Sequence, residues 1–152
     1  MSNIQLAELI DRAEIGALVD RLGRVLDEGS FDELAAIYTT DATAKTPGGR
    51  ADGLAALIAQ ATRTHSPGRR IQHFISSVIV DLHGDTASVR ANLMAVFAPG
   101  PTPETPVTPP LYTLGEVYRF DAVRTGTGWL FSRVETTPVW ETGTRPVLSA
   151  AK

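Results

Sequence analysis

The sequence IQHFISSVIVDLHGDTASVRANLMAVFA, residues 71–98, decides the fold class because its hydrophobic pattern repeats every two residues. Two stretches rich in β-branched residues, 71–82 and 86–98, flank His83-Gly84-Asp85, a sequence typical of a hairpin turn. Alternation of this kind is typical of strands with one buried face. The stretch therefore predicts a pair of long antiparallel strands.

Two more strands are predicted at residues 111–124 and 128–140, separated by a turn that contains Thr and Gly. Six prolines and Gly100 crowd residues 99–110, which excludes a regular helix or a central strand there. We expect an extended loop, which is either a surface connector or a flap over a pocket.

Helical spacing is confined to the first 65 residues. Residues 4–26 form an amphipathic pattern that Gly29 ends, and Ser30 with Glu33 is a capping-box pair that predicts a short second helix. Asp52 is a candidate cap for a third helix. Three helices followed by antiparallel strands indicate an α+β fold, with helices packed on one face of a curved sheet.

The composition is that of one ordinary globular domain, residues 1–152, with a core at about 5–140 and a loosely held tail at 141–152. The net charge of -3 without like-charge runs argues against nucleic acid as a partner. A signal peptide and a long apolar stretch are absent, so we expect a cytoplasmic protein without a membrane partner.

Motifs for metal and cofactor binding are missing. The chain has no cysteine and no His-x-x-x-His spacing, and it lacks the Gly-x-Ser-x-Gly, Walker and dinucleotide glycine motifs. We therefore expect no metal and no organic cofactor, although a metal that the substrate chelates stays open.

The three histidines have different surroundings in the sequence. His83 lies at a turn and His65 precedes Ser66-Pro67-Gly68, so both are expected to face solvent. His73 begins a strand, and alternation places it on one face with Ile75 and Ser77. A histidine there is compatible with a structural role or with proton transfer.

Asp27 closes the first helix, where its charge opposes the helix dipole and costs up to about 1 kcal/mol if exposed. A cationic or hydrogen-bonding partner is therefore expected, and a histidine is one candidate. A carboxylate and an imidazole together can remove a proton and return it elsewhere.

From about residue 5 to 140, the chain resembles the SnoaL-like branch of the nuclear-transport-factor-2-like superfamily. The resemblance is carried by Leu26-Asp27-Glu28-Gly29-Ser30-Phe31-Asp32-Glu33-Leu34, Gly53, Arg70-Ile71-Gln72-His73-Phe74-Ile75, Gly84-Asp85 and Gly128-Trp129. It implies a cone-shaped α+β barrel in which three N-terminal helices pack on a curved, mainly antiparallel sheet that encloses a pocket.

Within this family the segment Gln72-His73-Phe74-Ile75 is similar to the one that carries the catalytic histidine of scytalone dehydratases, and Asp27 matches the aspartate that orients it. The resemblance thus implies an acid/base dyad of His73 and Asp27. It further implies that the substrate pocket is lined by Leu22, Leu26, Thr46, Ala95, Phe97, Tyr112, Leu114, Glu116, Val134, Thr136 and Pro138, with Trp140 near the rim.

Four of these positions depart from the dehydratase pattern. Leu26 and Thr46 replace two tyrosines that hold a water, Phe97 replaces a second histidine, and Leu114 replaces an asparagine. The dyad is retained in a more apolar pocket, which argues against water-assisted dehydration. Glu116, Tyr112 and Tyr118 could add hydrogen bonds, although alternation leaves their direction open.

Two functions follow from the resemblance. The first is a cofactor-independent lyase or isomerase, a dehydratase or cyclase of secondary metabolism or of steroid-like compounds, acting on a small apolar or polycyclic substrate. The second is a non-catalytic binding or assembly domain in which the dyad only joins the first helix to the sheet. Relatives commonly pair through the outer face of the sheet, so a homodimer is expected and a trimer is possible.

Overall fold

The computed structural model describes residues 1–65 and 68–147, and it has an α+β fold. The elements in chain order are α1 (Asn3–Glu28), a 3-10 helix (Phe31–Ala36), β1 (Tyr38–Thr46), β2 (Gly49–Asp52), α2 (Leu54–Thr64), β3 (Arg69–His83), β4 (Thr86–Pro99), β5 (Tyr112–Thr125) and β6 (Gly128–Gly143). The four long strands and the first helix agree with the sequence prediction within a few residues.

The six strands form one sheet in the order β2-β1-β6-β5-β4-β3. Neighbouring strands are antiparallel except β1 and β6, which are parallel and pair Ala44 with Val134. α1 packs across the sheet against β3 and β6. The fully buried core side chains come from both layers: Ile15, Val19, Leu22 and Val25 of α1, with Leu34, Ile37, Phe120 and Phe131.

The first helix has a defined cap at each end. Ser2 and Gln5 form a reciprocal capping box at its start. At its end Gly29 has φ 72, a left-handed conformation, and its N–H donates to the carbonyl of Val25. These caps fix the position of Asp27 in the last turn.

The prediction of three N-terminal helices needs correction. The second is a six-residue 3-10 helix, and the side chain of Ser30 makes no capping hydrogen bond. Asp52 does not cap α2, because it pairs with Thr43 in the β1–β2 hairpin and Gly53, with φ 91, occupies the cap position. Residues 38–52 therefore form two short strands at the edge of the sheet.

The expected face of β3 is interrupted after Ile75. The pairing with β4 runs from Ser76 opposite Asn92 directly to Ile79 opposite Arg90, and Ser77 has φ 53. This bulge turns Ser77 outward, where it is exposed, so the prediction that it shares the inner face with His73 is wrong.

The segment after Trp140 is also held more firmly than predicted. β6 continues to Gly143, the hydroxyl of Tyr112 donates to Glu141 over 2.5 Å, and the N–H of Thr144 donates to the carbonyl of Leu111. The last five residues of the predicted tail, 148–152, lie outside the described residues.

The predicted proline-rich loop, 99–110, begins one residue later than expected, because Pro99 ends β4; residues 100–111 contain neither helix nor strand. Its ends are fixed by hydrogen bonds from the N–H of Gly100 to the carbonyl of Gly68 and from the N–H of Leu111 to that of Phe97. Within the described part of the chain, no helix combines the length and the apolar character needed to span a bilayer.

Candidate active site

A cavity of about 220 Å³ lies between the inner face of the sheet and the helices. Ten of the twelve predicted pocket residues line it: Leu22, Leu26, Thr46, Ala95, Phe97, Tyr112, Leu114, Glu116, Val134 and Thr136. His73 lines it as well. The wall is mainly aliphatic and aromatic, and a few polar groups are placed within it.

Asp27 and His73 are in direct contact. The Nδ1 atom of His73 lies 2.7 Å from Oδ1 of Asp27, and the backbone N–H of His73 donates to the same oxygen over 2.8 Å. α1 supplies the carboxylate from its last turn, and β3 supplies the imidazole opposite. The two bonds satisfy the carboxylate at the end of α1 and join this helix to the sheet.

The contact fixes the tautomer of His73. A carboxylate can only accept hydrogen bonds, so the proton of a neutral imidazole is on Nδ1 and the lone pair is on Nε2. Nε2 forms no hydrogen bond to any described residue. The ring therefore offers a proton acceptor on the side away from Asp27.

The two members of the pair have different exposure. The His73 side chain is 7% exposed and that of Asp27 is 26% exposed. Asp27 does not line the cavity but lies in a groove on the other side of His73, which we call the outer groove, lined by Asp20, Gly23, Arg24, Asp27, Glu28, His73 and Ile75. His73 separates this groove from the cavity.

His65 does not face solvent as predicted. It is half-buried at the end of α2, lines the cavity, and lies 6.1 Å from His73 between ring centres in a stacked arrangement. Its Nδ1 is 2.6 Å from the carbonyl of Ala61, while its Nε2 is buried without a hydrogen-bond partner. Burial lowers the pKa of His65, so the ring is neutral at pH 7.

Glu116 lies on the inner face of β5. Glu116 is only 8% exposed, and its Oε1 is buried without a hydrogen bond. Burial raises the pKa of Glu116. The hydroxyl of the neighbouring Thr136 is buried as well, and its interaction with the carboxyl group partly opposes this shift. Residues 112, 114, 116, 118 and 120 are all buried, so alternation along β5 directs Tyr112, Glu116 and Tyr118 inward together.

Two phenols complete the polar groups deep in the cavity. Tyr38 and Tyr118 line it, and burial raises the pKa of both hydroxyls, which stay neutral. Thr46 is already used structurally, because its hydroxyl accepts hydrogen bonds from Gln60 Nε2 and from the N–H of Gly48. The position at which the dehydratases carry a water-holding tyrosine is therefore occupied by a short, partnered hydroxyl.

Two predicted pocket residues lie elsewhere. Pro138 and Trp140 are exposed and do not line the cavity. For Trp140 the reason is a bulge in the β5–β6 pairing, where Glu116 is opposite Pro138 but Gly115 is opposite Trp140, so Val139 is skipped and Trp140 faces outward. Pro138 is opposite Glu116, where the bulge begins, and is exposed there. The Trp140 ring instead covers Gly115 so closely that a Cβ atom there would clash with it.

Several cavity residues were missed in the sequence: His65, Tyr38, Gln60 and Arg69. One signal could have identified His65, because Leu57, Ala61 and His65 are spaced four residues apart and share one helix face. The Pro67-Gly68 sequence that follows concealed this spacing. Among residues 1–65 and 68–147, no three His, Asp or Glu side chains converge as metal ligands would.

The model of the SnoaL-like domain family matches residues 7–135. No curated protein matches the sequence at a significant level.

Solved structures share the fold at low identity. A protein from Kribbella flavida is 23% identical, with 89% of this chain and 95% of that chain covered and a TM-score of 0.77. A scytalone dehydratase-like protein from Novosphingobium aromaticivorans is 21% identical, with 98% and 95% covered and a TM-score of 0.78. A hexachlorocyclohexane dehydrochlorinase is 19% identical, with 97% of each chain covered and a TM-score of 0.78.

Proposed function

Because the chain belongs to the SnoaL-like domain family, we propose that it is an enzyme that moves a proton on a small apolar molecule held in the cavity. His73 is the base that takes the proton at Nε2, and Asp27 orients the ring and stabilises the imidazolium that forms. The observation that carries this proposal is the 2.7 Å contact between Asp27 and His73 beside an apolar cavity.

The cavity limits the size of the substrate. A protein cavity of about 150 Å³ lined by aliphatic and aromatic residues holds one benzene molecule, and this cavity measures about 220 Å³. It therefore suits a molecule of one or two rings rather than a large polycyclic compound. Apolar walls exclude water from the reacting atoms and strengthen every charge interaction there.

The reaction class is elimination, isomerisation or cyclisation, since each begins with removal of a proton from carbon or oxygen. Leu26 and Phe97 line the cavity where the dehydratases place polar groups, and this disfavours loss of water assisted by a bound water molecule. One structural neighbour is a dehydrochlorinase, an enzyme that removes HCl from a ring, and a base in an apolar pocket is sufficient for that chemistry.

The first experiment is to compare wild type, His73→Ala and His83→Ala on a panel of one- and two-ring substrates, including chlorinated cyclohexanes and cyclic ketones. His83 is an exposed histidine outside the cavity and serves as the matched control. A positioned base contributes about 10²- to 10⁴-fold, so turnover by His73→Ala should fall by that factor while His83→Ala is unchanged. Undiminished turnover by His73→Ala would exclude the proposal.

A non-catalytic binding domain is the second candidate. One observation favours it: Asp27 accepts both the ring and the backbone N–H of His73, so the pair also holds α1 on β3. A domain of this kind would bind the same small molecules without changing them, and His73→Ala would then reduce stability without any activity to lose.

A further inference from the structure

Two arginines line the otherwise apolar cavity, Arg69 at the start of β3 and Arg145 just after the end of β6. Arg69 is half-buried and the side chain of Arg145 is 58% exposed, so both lie at the mouth of the cavity rather than in its interior. We propose that Arg69, with Arg145 beside it, binds a carboxylate group of the substrate, which is therefore a carboxylic acid with one or two rings. This inference rests on the proposed function, because it names the substrate class of the same site.

The chain that leaves β6 brings the two arginines to the same mouth. The N–H of Thr144 donates to the carbonyl of Leu111 over 2.9 Å, which turns the chain back across β5. A guanidinium N–H of Arg69 donates to the carbonyl of Val147, two residues beyond Arg145. The segment after β6 thus reaches β3 at the cavity, and both guanidinium groups belong to its rim.

The charges at the mouth do not balance. Arg145 forms an ion pair of 2.5 Å with Glu141, whose carboxylate also accepts the hydroxyl hydrogen of Tyr112. Arg69 forms no ion pair with any carboxylate of residues 1–65 and 68–147, and its hydrogen bond to Val147 uses an uncharged acceptor. The mouth therefore has one more positive than negative charge, although the whole chain has a net charge of -3.

A carboxylate matches the chemistry of Arg69. A guanidinium presents several N–H donors in one plane, and a carboxylate accepts two of them at once. A charged group deep in an apolar cavity is costly unless it is paired, whereas at the mouth it stays partly hydrated and meets a cation. The apolar wall then holds the ring, and the ligand that fits both parts has an apolar body and one anionic end.

The register of β3 relates this anchor to the proposed base. Arg69, Ile71 and His73 all line the cavity, as alternation along one strand requires. At a rise of about 3.3 Å per residue, the backbone positions of Arg69 and His73 are about 13 Å apart. Ile71 lies between them and offers an apolar surface. A substrate whose carboxylate binds Arg69 can therefore rest its ring on Ile71 and direct a C–H bond at Nε2 of His73.

The test compares hydrocinnamate, one ring with a short carboxylate chain, with its neutral amide of the same shape. Their dissociation constants are measured by calorimetry at pH 7, and wild type should bind the carboxylate about tenfold more tightly. Arg69→Gln should lose this preference, and Arg69→Lys, which keeps the charge without the planar fork, should keep part of it. Arg70→Gln is the matched control, because Arg70 is next on β3 and also binds a loop carbonyl, that of Pro106, but does not line the cavity.

A variant of Glu141 should strengthen binding. Glu141→Gln removes the negative charge paired with Arg145 and leaves an oxygen that can accept the hydroxyl hydrogen of Tyr112. Hydrocinnamate should then bind several-fold more tightly than to wild type, while binding of the amide stays the same. Glu135→Gln alters an ion-paired glutamate outside the cavity and should change neither constant. If Arg69 only held the segment after β6 in place, Glu141→Gln would produce no such gain.

These measurements separate the inference from the proposed function. A wild type that binds hydrocinnamate no more tightly than the amide, or that binds neither, overturns the inference, as does an Arg69→Gln variant that retains the preference. His73→Ala should keep the preference, because the carboxylate site does not use the imidazole. Turnover that persists in His73→Ala overturns the proposed function and leaves an Arg69-dependent carboxylate site in place.

Discussion

The two ring nitrogens of His73 lie in different environments. Nδ1 faces the carboxylate of Asp27 and the outer groove, and Nε2 is on the opposite edge of a ring that lines the cavity. Asp27 itself does not reach the cavity, so it acts on a substrate only through the imidazole. Orientation and charge stabilisation of the ring are therefore its contribution in the proposed enzyme.

Asp27→Asn should lower kcat by about 10²-fold or more and leave KM nearly unchanged, because the amide keeps the shape but cannot stabilise an imidazolium. Steady-state kinetics on the best substrate of the panel measures kcat and KM separately. Asp20→Asn, which removes a second carboxylate of the outer groove, is the control and should resemble wild type. A change in KM alone would assign Asp27 to substrate binding.

His65 predicts a dependence of stability on pH. Burial lowers its pKa in the folded chain. Below about pH 6.5 the unfolded chain therefore binds a proton at His65 that the folded chain does not bind, and the free energy of unfolding falls as the pH decreases. Urea unfolding at pH 7.5 and pH 5.0 should show a larger loss for wild type than for His65→Gln. The exposed His83→Gln should lose as much as wild type.

At the scale of single elements, a glycine inside α1 and the glycine that caps it have opposite roles. Gly16 lies in the middle of the helix and a Cβ there meets no atom within 4 Å, whereas Gly29 ends the helix with φ 72. Gly16→Ala should raise stability by up to about 1 kcal/mol, and Gly29→Ala should lower it by about 1–2 kcal/mol. Thermal unfolding checks both, with shifts in Tm of opposite sign; two shifts of the same sign would contradict the assigned roles.

The elements that the sequence predicted well are those whose pattern is long. α1 and the four C-terminal strands each repeat their period over more than ten residues, and their bounds follow from the pattern. β1 and β2 are short, and β1 forms because it pairs with β6, more than half the chain away. No local pattern contains that pairing, so residues 38–52 could not be read correctly from the sequence.

The predictions of site residues were also right where the strand pattern is regular and wrong where it is interrupted. Ten predicted pocket residues line the cavity, and eight of them are on strands, where alternation holds wherever the ladder is regular. Ser77 and Trp140 were misplaced because one extra residue in a bulge reverses the alternation, and Pro138, also misplaced, lies where the second bulge begins. Sequence spacing does not reveal a bulge.

At the scale of the whole molecule, apolar side chains form a row across the outer face of the sheet. Phe74 pairs with Met94, Met94 with Gly115, and Gly115 with Trp140, and the three side chains of this row are exposed. Adjacent exposed apolar side chains are suited to contact with another protein surface. We propose that a second copy of the chain covers it.

Light scattering after gel filtration should give the mass of two chains for wild type, and Phe74→Glu should give one, because a buried unpaired charge opposes the interface. Val107→Glu places the same charge on an exposed loop residue and should leave the mass unchanged. A mass of three chains would replace the dimer with a trimer, and a monomeric wild type at micromolar concentration would contradict the proposal.

The parallel pairing of β1 with β6 also has a consequence for biosynthesis. While the chain is on the ribosome, β1 emerges long before β6, and its one other partner in the sheet is the four-residue strand β2. Contacts so distant in sequence form late in folding, because the intervening loop must first be closed. One wall of the cavity comes from β1 and α2 and another from β5 and β6, so a nascent chain has no binding site until β6 has been synthesised.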